Sequence, residues 1–185
     1  MKKIFACAVL LSGCSVFSPY SHQVVVPIHR VSATGVGEQI GEITFDDGDD
    51  ISVTDKHYDQ KALIIRPNIS GLAEGPHGFH IHENPSCDPK EKDGKMVAAG
   101  AAGGHFDPRH TGKHLGPLGG GHEGDLPKLV VDGDGIANET IIVAGVTTQD
   151  ISGRSVMIHE GGDNYSDTPT PLGGGGARIA CGVIP

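Results

Sequence analysis

Residues 103–125 read GGHFDPRHTGKHLGPLGGGHEGD, and this stretch decides how the rest of the fold is interpreted. It shows neither a helical nor a strand period and offers almost nothing apolar to bury, so it predicts a long loop. Four histidines and three acidic residues are concentrated in it. Because such a loop cannot form a core of its own, we expect a framework of strands to carry it and a bound ion to order it.

Short β-branched runs closed by Gly, Pro, Asn or Asp indicate that framework. They lie at 23–29, 39–45, 62–66, 78–82, 129–131, 139–144, 155–159 and 177–184. The runs predict an all-β fold, an eight-stranded antiparallel β-sandwich or flattened barrel with two long functional loops, 83–128 and 160–177. DDGDD at 46–50 is interpreted as a turn, DGDG at 132–135 as a hairpin turn, and no segment shows a helical period with caps.

Composition narrows the class of protein. A chain of 185 residues with 29 glycines and 12 prolines fits one domain of short strands and long turns. The formal net charge of −9 argues against nucleic acid or an anionic lipid surface as the main partner, since both require a basic face.

The first 22 residues predict export. Residues 1–13 combine two lysines with an apolar run too short to span a bilayer, which is typical of a signal peptide. The run ends in Leu-Ser-Gly-Cys, so Cys14 is the expected lipidation site of a bacterial lipoprotein, and 14–22 is the expected tether. Several acyl chains on Cys14 would anchor the protein to a bacterial membrane, and Ser15 favours the outer membrane. An ordinary secretory signal cleaved nearby is the alternative.

Two of the four cysteines remain after this assignment. Cys7 lies in the signal and Cys14 is the lipid site, which leaves Cys87 and Cys181 in an exported chain. A disulfide is expected there, worth about 4–5 kcal/mol in the chain-entropy view, and two free thiols are the alternative.

Three histidines outside residues 103–125 are further candidate metal ligands. His80 and His82, in GFHIH, point to the same face if the segment is a strand. His159 follows an apolar run at a strand end, beside the second long loop. These three nitrogens need a fourth to complete a tetragonal copper(II) site.

The opening stretch itself predicts a zinc site. Its candidate ligands are His105, His114, His122 and Asp125, separated by nine, eight and three positions along the chain. Three nitrogens and a carboxylate form a closed tetrahedral set, which is typical of structural zinc. A disordered His-rich tract that binds metals loosely is the alternative.

GFHIHENPSC, GGHFDPRHTGKHLGP with GHEGDLP, and GGGGARIACGVIP together resemble copper/zinc superoxide dismutase in its bacterial exported form. The resemblance runs from about residue 35 to residue 185. It implies that 23–185 form the Greek-key β-sandwich domain of this family, with one copper and one zinc ion per subunit. The expected activity is dismutation of superoxide to dioxygen and hydrogen peroxide, which would protect the cell envelope from a periplasmic position.

The resemblance also assigns residues. It implies copper ligands His80, His82, His105 and His159, and zinc ligands His105, His114, His122 and Asp125. His105 is then a bridging imidazolate with a catalytic role in proton delivery, and Arg178 is the active-site arginine that positions the anion. Asp163 matches a carboxylate that links ligands on the His82 side and the His114 side by hydrogen bonds. Cys87–Cys181 matches the family disulfide.

One departure from animal members concerns the guidance of superoxide. Residues 163–176 read DNYSDTPTPLGGGG and contain no Lys or Arg, so they cannot attract an anion. Lys90, Lys92 and Lys95 are the expected replacements.

Other interpretations remain open at this point. A periplasmic copper/zinc buffer or chaperone would need no arginine at the site, and a mononuclear zinc hydrolase would need an open zinc position. The sequence is compatible with a monomer and with a homodimer. His22, His29, His57, His77 and His110 match no ligand position, and we expect them to lie on the surface.

Overall fold

Short strands joined by long loops make up most of the structure, a computed structural model that describes residues 23–48, 51–53, 56–58 and 61–185. For 51–53 and 56–58 only the course of the backbone is described. The predictions for segments 1–13 and 14–22, with Cys14 and His22, and for the side chain of His57, therefore lie outside the described residues.

The described residues form fourteen strands, one α-helix and two 3-10 helices. The strands are β1 (Val24–Ser32), β2 (Gly35–Gly48), β3 (Ile51–Val53), β4 (Lys56–Tyr58), β5 (Ala62–Ser70), β6 (Gly75–His77), β7 (Phe79–His82), β8 (Lys90–Lys92), β9 (Lys95–Val97), β10 (Leu129–Val131), β11 (Ile136–Ala137), β12 (Ile141–Ala144), β13 (Arg154–His159) and β14 (Arg178–Ile184). The helix α1 is Thr148–Ile151, and the 3-10 helices are Gly100–Ala102 and Pro171–Gly174. None of the described helices is long and apolar enough to cross a membrane.

One curled antiparallel sheet carries the fold. Its strand order is β11-β5-β2-β1-β14-β13-β7, and β12 also pairs with β5. The two ends of this sheet are joined through a smaller one, because β6 leads directly into β7, β10 leads into β11, and β6 pairs with β10. The predicted all-β antiparallel fold is confirmed.

The core lies inside this curl and follows the strand period. Val26 and Ile28 on β1 are fully buried, and so are Ile43 and Phe45 on β2, with partly or fully exposed residues between them. Alternation of this kind places every second side chain on the inner face. Each large side chain buried this way contributes about 1.5–3 kcal/mol relative to an exposed one.

Most predicted strands are present, but several boundaries were wrong. The run 62–66 continues to Ser70 through Pro67, which lies between the stretches of β5 that pair with β12 and with β11. Seven of the eight predicted strands belong to the large sheet, and the run 129–131 instead pairs with β6. The DGDG turn is present, with Asp132 accepting hydrogen bonds from the backbone N–H groups of Asp134 and Ile136. The strands that flank it, β10 and β11, pair with different partners, so the hairpin interpretation was wrong.

The interpretation of 46–50 as a turn was also wrong for its first three residues, which extend β2. The reason is a long-range partner. Asp47 accepts hydrogen bonds from the backbone N–H of Thr148 (2.7 Å) and from its hydroxyl (2.8 Å). That contact holds α1, a one-turn helix that the sequence analysis missed and that a capping box between Thr147 and Asp150 begins.

The long loop 83–128 is attached to the sheet at β7. This strand pairs with β13 along one edge, and the loop's own segments pair with its other edge. Ile81 donates its N–H to Gly124 (2.9 Å) and accepts one from Phe106 (2.8 Å). The loop therefore leaves and returns beside the two histidines of β7. It also contains the hairpin β8–β9 and the 3-10 helix Gly100–Ala102, neither of which was predicted.

Candidate metal centre

Two strands and one loop bring the first group of histidines together. His80 and His82 lie on β7, and His159 is the last residue of the neighbouring β13. With His105 from the loop they form the four-histidine group, whose members are all buried and each offer a nitrogen within 4.8 Å of the others. The strand period therefore placed His80 and His82 on one face, as predicted.

Each strand-borne ring uses one nitrogen as a donor and leaves the other without a partner. His82 donates from Nδ1 to the carbonyl of Gly103 (3.0 Å), and His159 donates from Nδ1 to the carbonyl of Gly176 (3.3 Å). His80 uses Nε2 for the Asp163 carboxylate (2.7 Å). The remaining nitrogens, His80 Nδ1, His82 Nε2 and His159 Nε2, are buried without a hydrogen-bond partner. Orphaned buried nitrogens are costly, which indicates that a cation belongs between them.

A second group surrounds one carboxylate oxygen. The Oδ1 atom of Asp125 lies 2.9 Å from His105 Nδ1, 3.0 Å from His114 Nδ1 and 3.3 Å from His122 Nδ1. The His114 contact does not have hydrogen-bond geometry. Ligands around a tetrahedral zinc ion at ~2.0–2.1 Å are about 3.3 Å apart, so these spacings suit an ion at the centre. We call His105, His114, His122 and Asp125 the His–Asp group.

His105 belongs to both groups. Its Nδ1 faces Asp125, and its ring centroid lies 4.0 Å from that of His80 and 5.4 Å from that of His122. Since the two nitrogens lie on opposite sides of an imidazole ring, one side chain can serve two ions.

Asp163 connects the four-histidine group and the His–Asp group through hydrogen bonds to one histidine of each. One carboxylate oxygen accepts from His80 Nε2 (2.7 Å) and the other from His114 Nε2 (2.8 Å). The expectation that Asp163 links the His82 side was wrong, because the Nδ1 of His82 is already used by Gly103. These hydrogen bonds fix the tautomers of His80 and His114 and direct their Nδ1 atoms toward the two groups.

Burial and charge favour metal binding in both groups. Burial lowers the pKa of His105 to about 4 and that of His159 to about 3, and it also lowers the pKa of His82. These rings are therefore neutral near pH 7, so each has one nitrogen free to bind an ion, and only His105 would have to release its remaining proton to serve two ions. Burial alone would lower the pKa of His114, but its contacts with Asp125 and Asp163 raise it to about 9. Two carboxylates that stabilise this cation would equally stabilise a metal ion.

The donor types fit two different metals. Three imidazoles and one carboxylate form a closed zinc set, and four imidazoles suit copper in both of its oxidation states. The residues present therefore fit one copper and one zinc ion.

Arg178 stands beside the four-histidine group at the start of β14, opposite His159 in the strand register. Its guanidinium is half-buried and donates to the carbonyls of Ala99 and Gly103, both at 2.6 Å. Gly103 accepts from His82 as well, so one carbonyl positions both side chains. The Cys87–Cys181 disulfide, with Cα atoms 5.7 Å apart, joins the same loop to β14, which confirms the predicted pairing.

Comparison with known proteins agrees with this arrangement. The family model of copper/zinc superoxide dismutase matches residues 48–184. The chain is 47% identical over 185 residues to superoxide dismutase [Cu-Zn] 2 of Salmonella typhimurium, covering 100% of this chain and 99% of the relative. The chain belongs to the copper/zinc superoxide dismutase family.

Solved structures of the copper/zinc superoxide dismutase family share the fold. The Brucella abortus enzyme superposes with a TM-score of 0.78 at 47% identity, covering 89% of this chain and 100% of that one. The monomeric enzyme of Salmonella enterica gives a TM-score of 0.70 at 48% identity, covering 88% and 99%. The prediction that the chain is an enzyme of this family, which binds one copper and one zinc ion, is confirmed.

The other described residues named in the sequence analysis lie outside the two metal groups. Lys90, Lys92 and Lys95 are exposed on the hairpin β8–β9. Among the histidines without a predicted role, His110 is exposed and His29 is half-buried. His77 is buried, so its expected surface position was wrong. Its ring contacts the carbonyls of His159 (2.7 Å) and Ala73 (2.9 Å), which accounts for its burial.

The sequence analysis missed residues that act through the backbone. Ala99 and Gly103 supply carbonyl groups to Arg178, and Asp167 and Tyr165 accept hydrogen bonds from backbone N–H groups of the loop 83–128. A glycine-rich segment before His105 was the one available signal for Gly103. Ala99 has a positive φ of 48°, which a non-glycine residue rarely adopts and which nothing in the local sequence indicates.

Proposed function

We propose that this chain dismutes superoxide at a copper ion in the four-histidine group, beside a zinc ion in the His–Asp group. The proposed copper ligands are His80, His82, His105 and His159, and the proposed zinc ligands are His105, His114, His122 and Asp125. The observation that carries the proposal is the convergence of three orphaned, buried ring nitrogens on His105, whose other nitrogen faces a second complete ligand set.

Copper, when bound, would supply a one-electron couple: one superoxide gives up an electron and leaves as dioxygen, and a second takes up that electron with two protons and leaves as hydrogen peroxide. The chain's own residues prepare this exchange. His80, His82 and His159 are fixed by donor bonds on their far nitrogens, so their free nitrogens keep one orientation in both oxidation states.

His105 supplies a proton in this proposal. Its Nδ1 stays with the His–Asp group throughout, because zinc has no redox chemistry. Its Nε2 is free to hold a proton when that nitrogen is not a ligand, and to deliver it to the second superoxide.

Arg178 positions the anion. Two hydrogen bonds to carbonyl groups hold its guanidinium in place, and burial lowers its pKa without removing its charge near pH 7. A fixed cation beside the group attracts a small anion and orients it toward the metal.

The hairpin β8–β9 is the proposed source of longer-range attraction. Lys90 packs against Gly100, where an added Cβ would lie 3.0 Å from the Lys90 backbone. Gly100 begins the short 3-10 helix that ends just before Gly103, a partner of Arg178. The exposed lysines are therefore attached to the segment that borders the site, on a chain of net charge −9.

We further propose that the protein works in the bacterial cell envelope and protects it from superoxide. The supporting observations are the signal-like residues 1–13, Cys14 in its lipoprotein-type context, and the disulfide Cys87–Cys181, which persists in oxidising compartments. Lipidation at Cys14 and a position at the outer membrane belong to the same proposal. Mass measurement of the mature chain tests the lipidation: a diacylated or triacylated N-terminal Cys14 is the expected result, an unmodified cleaved chain would contradict the lipid anchor alone, and an uncleaved chain would contradict export as well.

The test of activity combines metal removal with one substitution. We expect the purified protein to dismute superoxide, to lose that activity when copper is removed, and to regain it when copper is restored. Arg178→Ala is expected to keep one copper and one zinc per chain while its rate falls roughly 10- to 100-fold, because a fixed donor at a site of developing charge is lost.

Arg154→Ala is the matched control, because Arg154 is a half-buried arginine on the adjacent β13 whose guanidinium donates to the carbonyl of Glu83 (2.8 Å). It should leave the rate near that of the wild type. Activity that survives copper removal would overturn the proposed copper chemistry, and a normal rate in Arg178→Ala would remove the assigned role of that residue.

A further inference from the structure

His114 differs from the other ligand candidates in how its backbone is held. His80 and His82 lie in β7 and pair with β13, whereas His114 lies in a loop without a strand on either side. Its neighbours are held by a few loop contacts: the carbonyl of Lys113 accepts the N–H of His122 (2.9 Å), the N–H of Lys113 donates to Thr111 Oγ1 (3.4 Å), and the N–H of Leu115 donates to Asp125 (3.2 Å). The position of His114 therefore depends on what binds its own backbone.

Asp167 binds that backbone. Its Oδ2 atom accepts the N–H of His114 (2.9 Å), and its Oδ1 atom accepts the N–H of Leu172 (3.2 Å) in its own loop. One carboxylate thus joins two loops 53 residues apart in the chain. Because hydrogen bonds to a charged acceptor are stronger than neutral ones, this contact restrains His114 more firmly than an ordinary loop contact.

Tyr165 reinforces the same attachment two residues earlier. Its hydroxyl accepts the N–H of Lys128 (3.0 Å), and the Lys128 ammonium lies 5.0 Å from its ring centroid. The ring also packs on Gly116, where a Cβ would come within 2.7 Å of it. Alternate residues of one short segment, Asp163, Tyr165 and Asp167, therefore contact the loop that carries His114.

We propose that Asp167 is a positioning residue for zinc, which holds the backbone of His114 while Asp163 holds its ring. The inference rests on the proposed zinc site. Asp167 contacts no side chain of the His–Asp group in the structure's hydrogen-bond network, so it acts through His114 alone. Its expected effect is on how long zinc is retained, and the copper ligands on the strands are left in place.

The test compares the zinc release of full-length variants loaded with both metals. Release into a colorimetric chelator is expected to be about tenfold faster in Asp167→Ala, the low end of the range for residues that support a ligand. Asp167→Asn should be intermediate, because its amide oxygen can accept one of the two N–H groups. Hydrogen exchange at the His114 amide should rise in the same order.

Asp132→Ala is the matched control. Asp132 also accepts two backbone N–H groups with one carboxylate, in a turn that has no contact with either metal group. It should leave zinc release unchanged. Cobalt(II) placed in the zinc site gives a second measurement, and its visible absorption should change in Asp167→Ala but not in Asp132→Ala.

Three results would overturn the inference, and they differ from one another. Unchanged zinc release in Asp167→Ala, with one zinc bound per chain, would remove the role of Asp167 and leave the proposed zinc site intact. Equal acceleration in both alanine variants, in step with their loss of global stability, would show a general structural effect. Failure of the wild-type chain to bind zinc would overturn the zinc site and the inference together. Should Asp167→Ala not fold, Asp167→Asn provides the same comparison.

Discussion

The two metal groups are built on different kinds of backbone. The four-histidine group takes three members from β7 and β13, whose backbones pair residue by residue. The His–Asp group takes all its members from the loop 83–128, where His105 and Asp125 each form one isolated bridge to β7 and where His114 and His122 are held only by contacts outside any strand. Strand pairing fixes the positions of the candidate ligands before any ion binds. The position of His114 in the loop instead depends on its hydrogen bonds to the carboxylates of Asp163 and Asp167 and on the ion itself. Loss of an ion should therefore disturb the two groups unequally.

The largest expected effect is on copper, from removal of a strand-borne ligand. His82→Ala deletes one of the three orphaned nitrogens but leaves the pairing of β7 intact. Copper binding should weaken roughly 100-fold or more, since loss of even an outer partner costs roughly 10- to 100-fold, and activity should fall with it. Metal content and dismutation rate measure this.

His29→Ala is the control for that variant, because His29 is a strand histidine whose Nδ1 contacts the carbonyl of Gly37 (3.1 Å), away from both groups. It should bind copper normally. Full copper content in His82→Ala would contradict its place among the copper ligands.

Removal of a candidate ligand from the loop 83–128 should affect zinc binding and the order of the loop itself more than it affects the sheet. His114→Ala should weaken zinc binding roughly 10- to 100-fold or more and increase hydrogen exchange through residues 103–125. Exchange at the β7 amides that face β13 should change little, because that pairing remains, whereas the Ile81 amide, which donates to Gly124, should follow the loop. Hydrogen exchange by mass spectrometry measures both regions in one experiment, and an equal increase in both would show that the two backbones are not independent.

The contrast between strand and loop also explains which features of the two metal groups could be predicted from the sequence. The shared orientation of His80 and His82 was predictable because it depends only on local sequence. In a strand, side chains two residues apart point to the same face. The His–Asp group was predictable as a candidate metal site from the residue content and spacing of the loop, since a segment poor in apolar residues but rich in histidine has few other ways to become ordered. Cys87 and Cys181 followed from the expected compartment.

Residues whose partners are distant in the chain were not predictable. Asp47 is typical of a turn by residue type, yet it binds Thr148 and extends β2. The carbonyls of Ala99 and Gly103 that hold Arg178 carry no signal in their side chains. Asp163 binds His80 and not His82. The reason is that the folded loop already supplies the Gly103 carbonyl to Nδ1 of His82.

The smallest expected effect concerns long-range attraction by the hairpin β8–β9. The combined variant Lys90→Glu, Lys92→Glu and Lys95→Glu should lower the second-order rate severalfold at low ionic strength and flatten its salt dependence. Lys61→Glu, at an exposed lysine just before β5, is the control for a charge reversal away from the hairpin. A rate for the hairpin variant equal to that of the control would show that these lysines do not guide superoxide.

The most direct test of the central claim, that one residue joins the two groups, is the metal content of His105→Ala. Because His105 faces both groups, we expect this variant to lose affinity for copper and for zinc together, with its disulfide and β-sheet content retained. A joint loss is expected, measured as metal per chain at matched free-metal concentrations. A variant that keeps its full complement of either metal would contradict the shared ligand.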